Sequence, residues 1–155
     1  TLSNIAAGIM LLWLRPFRVG DSIEVGAISG KVVEVGLFAS EIHTADGLYQ
    51  FVPNAELWNK RLTNFSRLDR RQVSVRVKLK DAGAIARVRA WAAEQGARDA
   101  RVLAEPAPQV VVSELADDKI TVTVQAWART ENYPALVRDF SDSLAGIIAR
   151  DAQAD

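Results

Sequence analysis

The spacing of the apolar residues changes abruptly at Arg15-Pro16, and this change limits the possible folds more than any other feature of the chain. Residues 1–14 carry no charge, and their small and apolar side chains recur at the spacing of a helix. Four of them share one face, which suits close packing: Asn4, Ala7, Gly8 and Leu11. Because a residue before proline is disfavoured in the α region, we expect the helix to end at Arg15. Beyond this point, apolar and polar residues alternate between glycines, which predicts short strands.

The uncharged opening segment resembles part of a membrane helix but is short for one. Residues 1–14 would rise only about 21 Å as a helix, whereas the hydrocarbon layer of a bilayer is roughly 30 Å thick. The segment also lacks the basic start and cleavage pattern of a signal peptide. The pattern begins without a methionine, so we interpret the chain as a piece of a longer protein whose missing part lies upstream. By periodicity alone, a buried helix of a soluble domain fits equally well.

Residues 15–67 predict a small all-β unit. Strands are expected near residues 22–25, 30–36, 39–44, 49–52 and 62–65, with one helical turn near residues 55–58. Asp46-Gly47 predicts a hairpin turn of the type that requires positive φ. Five short strands with one helical turn favour a five-stranded SH3-like or Sm-like β-barrel.

Residues 68–155 predict a second, α+β unit. A half-buried strand at 73–79 precedes a helix whose stripe of Ile85, Val88 and Ala92 ends near Gly96, and two strands follow at 109–115 and 120–128. Asn132 can cap a last helix with Pro134 in its first turn. The apolar face of that helix contains Leu136, Phe140, Leu144, Ile147 and Ile148. The order βαββα matches a ferredoxin-like layer that lacks its closing strand.

The residue types that carry catalysis or hold metals are scarce. The chain has no cysteine and a single histidine, His43, and we find no nucleophile elbow, Walker loop or dinucleotide fingerprint. The 19 basic and 19 acidic residues cancel, so no global field attracts nucleic acid. We therefore predict that the chain is not an enzyme and binds no metal, cofactor or nucleic acid.

An Sm-like barrel leaves one alternative open, an RNA-binding protein or an oligomeric scaffold. Arginines near Tyr49 and Phe65 could form a basic patch with stacking aromatics: Arg61, Arg67, Arg70 and Arg71. Because the barrel has no excess of positive charge, we favour salt bridges at a domain or subunit boundary for these arginines.

Several short motifs in order resemble the small-conductance mechanosensitive channel family. Leu2-Ser3-Asn4-Ile5-Ala6-Ala7-Gly8 and then Arg15-Pro16-Phe17-Arg18-Val19-Gly20-Asp21 resemble the end of its pore helix and the start of its β domain. Further matches follow along the chain: Gly30-Lys31-Val32-Val33-Glu34-Val35-Gly36, Thr44-Ala45-Asp46-Gly47, Val52-Pro53-Asn54 and Asn64-Phe65-Ser66-Arg67. Their shared order over residues 2–67 carries the resemblance, while residues 68–155 agree in layout only.

The resemblance implies a tension-gated ion channel of the bacterial inner membrane that releases solutes on hypo-osmotic shock. Residues 1–14 would be the C-terminal half of the third transmembrane helix, beyond its kink, residues 15–67 the β domain and residues 68–155 the α/β domain. The soluble domains would build a cytoplasmic cage in a homo-oligomer, typically a heptamer, with lipid around the pore-helix region and ions and small solutes as the permeating species. The narrow gate would lie outside this chain, and the chain stops at Asp155, before the family's usual closing segment.

The resemblance also implies contacts that couple the pore helix to the β domain. Ala7 and Gly8 would allow close helix approach, and Pro16 with Phe17 would hold the corner after the helix. Asn4 would face Asn54-Ala55 in the barrel of a neighbouring subunit and donate a hydrogen bond to a backbone carbonyl there. Ala55 stands where the family often has glycine.

Overall fold

The computed structural model describes residues 1–153 and divides the chain into two compact units. The first unit ends at Leu68 and the second begins at Asp69, and both combine helices with antiparallel sheet. The fold class is therefore mixed α+β. None of the helices formed by residues 1–153 has the length and apolar character needed to span a membrane.

The first helix, α1, covers Leu2–Leu14 and ends where the sequence predicts. Arg15 leaves the α region and adopts the left-handed conformation, with φ 49° and ψ 59°. The predicted packing face is confirmed, because Ala7, Gly8 and Leu11 are buried and Asn4 is half-buried.

Five strands follow in one antiparallel sheet, with the strand order β4-β3-β2-β1-β5. The strands are β1 (Ser22–Val25), β2 (Ile28–Val35), β3 (Ala39–His43), β4 (Tyr49–Pro53) and β5 (Leu62–Asn64). A short helix, α2 (Asn54–Trp58), directly follows β4. One core joins the helix end to the sheet, with these buried members: Leu11, Phe17, Ile23, Val25, Val32, Ile42, Val52 and Leu57.

The C-terminal ends of β2 to β5 each differ from the prediction by one residue, and two larger differences involve glycines. β2 begins at Ile28, because Gly30 lies inside the strand and does not end a turn. A Cβ at Gly30 would lie 2.4 Å from the carbonyl oxygen of His43, so only glycine lets β2 and β3 approach this closely. In the hairpin turn, Gly47 has the predicted positive φ of 89°, whereas Asp46 does not have a positive φ.

The second unit has the predicted order of elements, βαββα. Its elements are β6 (Arg70–Leu79), α3 (Ala82–Arg98), β7 (Gln109–Leu115), β8 (Ile120–Arg129) and α4 (Tyr133–Gln153). The antiparallel sheet has the order β6-β8-β7. Alternate residues of β8 are fully buried against the helices, including Val122 and Val124, and they share a core with Val88 and Leu144.

The ends of the helices in this unit show where local sequence signals are weak. Asp81 caps α3, since its Oδ1 accepts a hydrogen bond from the Ala84 N–H at 2.9 Å. α3 continues past Gly96 to Arg98, and a Cβ at Gly96 would lie 3.1 Å from Cγ of Pro108. Asn132, predicted as a cap, is instead the last residue of a 3-10 turn, Thr130–Asn132, that leads straight into α4.

The guanidinium of Arg101 forms ion pairs with two carboxylates of the second unit, so we expect the stability of this unit to depend on pH in the acid range. The guanidinium lies 2.8 Å from Asp99 and 2.9 Å from Asp139, and the hydrogen bond from Arg101 holds the pKa of Asp99 below its ordinary value. A depressed carboxylate pKa stabilises the fold above the unfolded pKa, and this stability is lost as the pH falls through the folded pKa. We expect Arg101→Gln to reduce the loss of stability between about pH 4 and pH 2, measured by chemical unfolding at each pH. Arg98→Gln is the control, because it breaks only the exposed pair with Glu94 at 2.7 Å, which water screens, and should change the acid dependence much less. Equal acid curves for wild type and Arg101→Gln would contradict the prediction.

Candidate functional site

The backbone of α1 lies directly against the β2–β3 connection at Gly8. A Cβ built on Gly8 would lie 2.1 Å from the carbonyl oxygen of Leu37 and 2.6 Å from Nδ2 of Asn54. No real Cβ fits at such distances, so glycine is required by the close approach of two backbones. Ala7, next to it, is 4% exposed. Both residues are thus closely packed, with the β2–β3 connection as the partner of Gly8, while the close helix approach expected for them stays a prediction.

Asn54 ties α2 to the same connection. Its side chain is fully buried, Nδ2 donates to the carbonyl oxygen of Gly36 at 2.9 Å, and Oδ1 accepts from the hydroxyl of Ser40 at 2.9 Å. Its backbone N–H donates to the carbonyl oxygen of Phe38 at 3.0 Å. A buried amide with both ends paired holds its surroundings in one arrangement, so Asn54 fixes the surface that α1 meets.

Asn4 contacts Ala55, but its side chain is the hydrogen-bond acceptor and not the donor that we expected. Within the chain, Oδ1 of Asn4 accepts a hydrogen bond from the backbone N–H of Ala55 at 2.9 Å. The reason is that Ala55 lies in the first turn of α2, where backbone N–H groups have no partner within the helix. Nδ2 of Asn4 donates instead to Oγ1 of Thr1, at 3.0 Å. This Asn4–Ala55 contact lies within one chain, whereas the contact expected from the sequence joins neighbouring subunits. The expected donation to a carbonyl of a neighbouring subunit stays a prediction.

These contacts define the α1–α2 junction, which comprises Asn4, Ala7, Gly8, Asn54 and Ala55. The two other predicted residues lie beyond the end of α1. Phe17 is buried in the core of the sheet, at 4% exposure, and Pro16 is half-buried beside it in the chain. The structure therefore separates the seven candidates into a junction of five residues and a corner of two.

The corner depends on Asn64, which belongs to one of the matching motifs but was not predicted as a site residue. Nδ2 of Asn64 donates to the carbonyl oxygen of Pro16 at 3.1 Å and to Oδ2 of Asp21 at 2.9 Å. Its Oδ1 accepts from the backbone N–H groups of Ser66 and Arg67, at 2.9 and 3.0 Å. An asparagine at the end of a strand often bonds to nearby backbone, and this was the available signal. Its partner Pro16, 48 residues away, could not be read from local sequence.

The arginines considered for an RNA-binding patch contact aromatic rings and carbonyl groups. The guanidinium of Arg70 lies 5.3 Å from the ring centre of Trp127, and that of Arg71 lies 3.5 Å from the ring centre of Tyr133. Arg67 donates from Nη1 to the carbonyl oxygen of Arg15, at 3.0 Å. These contacts give three of the four guanidinium groups a partner within their own unit. The absence of nucleic-acid binding remains a prediction.

His43 has a partner on its own strand. Its Nε2 lies 2.7 Å from Oε1 of Glu41. Within residues 1–153, His, Asp and Glu side chains form no group of three or more arranged to hold a metal ion.

A known protein family matches the first unit of the chain. Residues 1–67 match the family model described as "Mechanosensitive ion channel, beta-domain". This match covers α1, α2 and all five strands of the first unit, so this unit is similar to the β domain of mechanosensitive ion channels.

Relatives extend the similarity into the second unit. The chain is 30% identical to a small-conductance mechanosensitive channel of Edwardsiella ictaluri, over 92% of this chain and 50% of that protein. It is 28% identical to an uncharacterized MscS family protein of Synechocystis, over 93% of this chain and 49% of that protein. These matches support the small-conductance mechanosensitive channel family, which the motifs predict. It spans about half the length of these relatives.

Solved structures share the fold. Helicobacter pylori MscS in its closed state superposes with a TM-score of 0.79 at 22% identity, over 99% of this chain and 60% of that chain. Arabidopsis thaliana MSL1 superposes with a TM-score of 0.75 at 23% identity, over 97% of this chain and 57% of that chain. At these identities the likeness concerns the fold alone.

Proposed function

We propose that this chain is the vestibule-forming part of a tension-gated ion channel that releases solutes on hypo-osmotic shock. The observation that carries the proposal is the contact of α1 with the sheet at Gly8, where a Cβ would lie 2.1 Å from the Leu37 carbonyl oxygen. An uncharged helix attached this closely to a folded unit cannot change its position without affecting that unit. This is the mechanical link that a channel needs between a pore helix and its soluble part.

The domain assignment follows from this role. Residues 1–14 are the C-terminal half of a pore helix, residues 15–67 an Sm-like β domain and residues 68–155 a ferredoxin-like domain without its closing strand. The sheet order β4-β3-β2-β1-β5 supports the β-domain assignment, since β1 to β4 pair consecutively and β5 returns to pair with β1. The order β6-β8-β7, with α3 between β6 and β7, supports the second.

The proposed partners follow from the family. The chain acts in a homo-oligomer, with a heptamer as the expected form, in the bacterial inner membrane with this region on the cytoplasmic side. Lipid surrounds the pore-helix region, ions and small solutes permeate, and no catalytic step is involved. The exposed apolar side of α1 supports a lipid or subunit neighbour, since Leu2 is 82% exposed and Trp13 76% exposed in the single chain.

In the proposed mechanism, the contacts of the α1–α2 junction form in only one of two arrangements of α1. Tension favours the channel conformation of larger in-plane area, and contacts present in only one conformation bias the equilibrium. The Asn4–Ala55 hydrogen bond and the Gly8–Leu37 approach stabilise the arrangement in which α1 lies on α2. In a symmetric ring the small energy of each contact is repeated in every subunit.

The proposed function is tested by osmotic downshock. The full-length protein is expressed in a bacterial strain that lacks its mechanosensitive channels, and survival is counted after transfer from high to low osmolarity. We expect survival to rise well above that of the strain with an empty vector. Survival equal to the empty vector, with the protein present in the membrane fraction, would refute the proposed release of solutes.

Asn4 and Ala55 give the first prediction about the junction. Loss of the Asn4 hydrogen bond should remove about 0.5–1.5 kcal/mol per subunit from one helix arrangement only. We therefore expect Asn4→Ala to change recovery from the inactive state more than the tension required for opening, in patch recordings under sustained tension. Ala55→Gly keeps the donor N–H and allows a closer approach, so it should deepen inactivation while Asn4 is present.

Thr1→Ala is the matched control for this prediction. It removes the partner of Asn4 Nδ2 but leaves the Ala55 contact in place. Inactivation and recovery should stay close to wild type. Unchanged inactivation and recovery in both Asn4→Ala and Ala55→Gly, at normal expression, would show that the contact serves packing alone.

A further inference from the structure

A cleft at the C-terminal end of α1 carries an excess of positive charge. It has a volume of about 330 Å³ and is lined by Arg15, Pro16, Phe17, Arg18, Asp21, Ser66 and Arg67. Three guanidinium groups thus share one cleft with a single carboxylate. All of these residues belong to the first unit.

The carboxylate of the cleft is engaged by neutral donors. Oδ2 of Asp21 accepts from the backbone N–H of Arg18 at 3.0 Å and from Nδ2 of Asn64 at 2.9 Å. Within the described residues, the three guanidinium groups form no ion pair with a carboxylate. Arg67 donates to the carbonyl oxygen of Arg15 and Arg15 to that of Leu12, at 3.0 and 3.4 Å. Most of their N–H donors therefore remain available to an anion.

The cleft also offers a hydroxyl donor and a fixed frame. Oγ of Ser66 accepts from the backbone N–H of Ser22 at 3.0 Å, which leaves its own hydrogen free to donate. The backbone on both sides of the cleft is held by Asn64, through Pro16 on one side and Ser66 on the other. Phosphate oxygens suit such a set, because guanidinium groups bind them with paired, charge-assisted hydrogen bonds.

Apolar surface lies immediately before the cleft in the chain. Trp13 is 76% exposed and Leu14 is 55% exposed, whereas Arg15 and Arg18 begin the polar segment. Tryptophan and arginine in this order are typical of the boundary between hydrocarbon and headgroups in a membrane. We propose that this cleft binds a phosphate group, with the headgroup of an anionic phospholipid beside α1 as its source.

The inference rests on the proposed function only for the presence of a membrane beside α1. Its test measures binding and no current, so its failure and a failure of channel activity can be told apart. The full-length protein is kept in a non-ionic maltoside detergent, which carries no phosphate group, and is titrated by calorimetry with short-chain phosphatidylglycerol. The experiment has two arms: this titration with lipid, and a second titration in which inorganic phosphate replaces the lipid.

Arg18→Gln is the informative variant, because within residues 1–153 Arg18 forms its hydrogen bond to Asp21 through the backbone N–H and none through its side chain. We expect saturable binding of phosphatidylglycerol, weakened about tenfold by Arg18→Gln through loss of charge-assisted hydrogen bonds. Arg61→Gln is the matched control: it removes the same charge from an exposed residue outside the cleft and should change the affinity less than about twofold. Weaker or absent binding of inorganic phosphate supports the lipid source, whereas equal binding supports the site with free phosphate as its ligand.

Three results would overturn the proposal. The first is the absence of saturable binding in both arms. The second is an equal loss of affinity in Arg18→Gln and Arg61→Gln, which would mean that binding follows the net charge of the chain. The third is a lower melting temperature of Arg18→Gln with unchanged affinity, which would make Arg18 a structural residue of the helix end.

Discussion

Gly8→Ala is expected to separate α1 from the sheet. The added methyl group would lie 2.1 Å from the carbonyl oxygen of Leu37, which belongs to the backbone and cannot rotate away as a flexible side chain could. Forcing a methyl group into a closely packed contact costs about 1–3 kcal/mol. Alanine is a better helix former than glycine, so a destabilised variant would show that the lost packing outweighs the gain in helix propensity.

The effect is local, and hydrogen exchange can locate it. The N–H of Ala55 donates to Asn4, so its protection from exchange reports whether α1 still lies on α2. We expect Gly8→Ala to reduce this protection about tenfold or more, while protection in the second unit is unchanged. Gly146→Ala is the matched control, since it makes the same change on α4, where a Cβ would have no atom within 4 Å. Wild-type protection of Ala55 in Gly8→Ala would contradict the account of the junction.

Asn54→Ala is expected to have a comparable or larger effect, for a different reason. The substitution removes two side-chain hydrogen bonds and leaves the Gly36 carbonyl and the Ser40 hydroxyl without their partner. Because Ser40 is only 1% exposed, water cannot replace the amide there. Unpaired polar groups of this kind cost about 2–3 kcal/mol in the free energy of unfolding of the first unit.

A double-mutant cycle tests the cause of this loss. If the unpaired hydroxyl carries part of the cost, Ser40→Ala combined with Asn54→Ala should be less destabilised than the sum of the two single changes. Asn59→Ala changes an exposed asparagine at the end of the same helix and should alter stability by less than about 0.5 kcal/mol. Additive single effects, or an equal loss in Asn59→Ala, would contradict the role of the buried amide.

The sequence predicts the elements well where the period of apolar residues is clear. The end of α1 before Pro16, strand β1 at Ser22–Val25 and strand β7 at Gln109–Leu115 lie where the pattern places them. These predictions succeed because local sterics and the burial of one face determine them. Gly30 misled the prediction, because a glycine inside a strand and a glycine in a turn have the same local signal.

The sequence indicated which residues of α1 pack closely, but it did not indicate which groups they contact. The small-residue face at Ala7 and Gly8 indicates close packing, yet nothing local names the Leu37 carbonyl as the partner. The direction of the Asn4 hydrogen bond depends on the start of α2, 51 residues away at Ala55. Asn64 was missed as a site residue for the same reason, because its importance lies in contacts made across the fold.

The central claim is that this chain couples a pore helix to a folded vestibule in a tension-gated channel. The most direct test is a recording of current against membrane tension from the purified full-length protein in lipid patches. We expect conductance that opens reproducibly with tension, and a change in inactivation or recovery when Gly8→Ala separates α1 from the sheet. Inserted protein without any tension-dependent current would contradict the claim, and so would wild-type gating in a Gly8→Ala protein whose Ala55 amide has lost its protection.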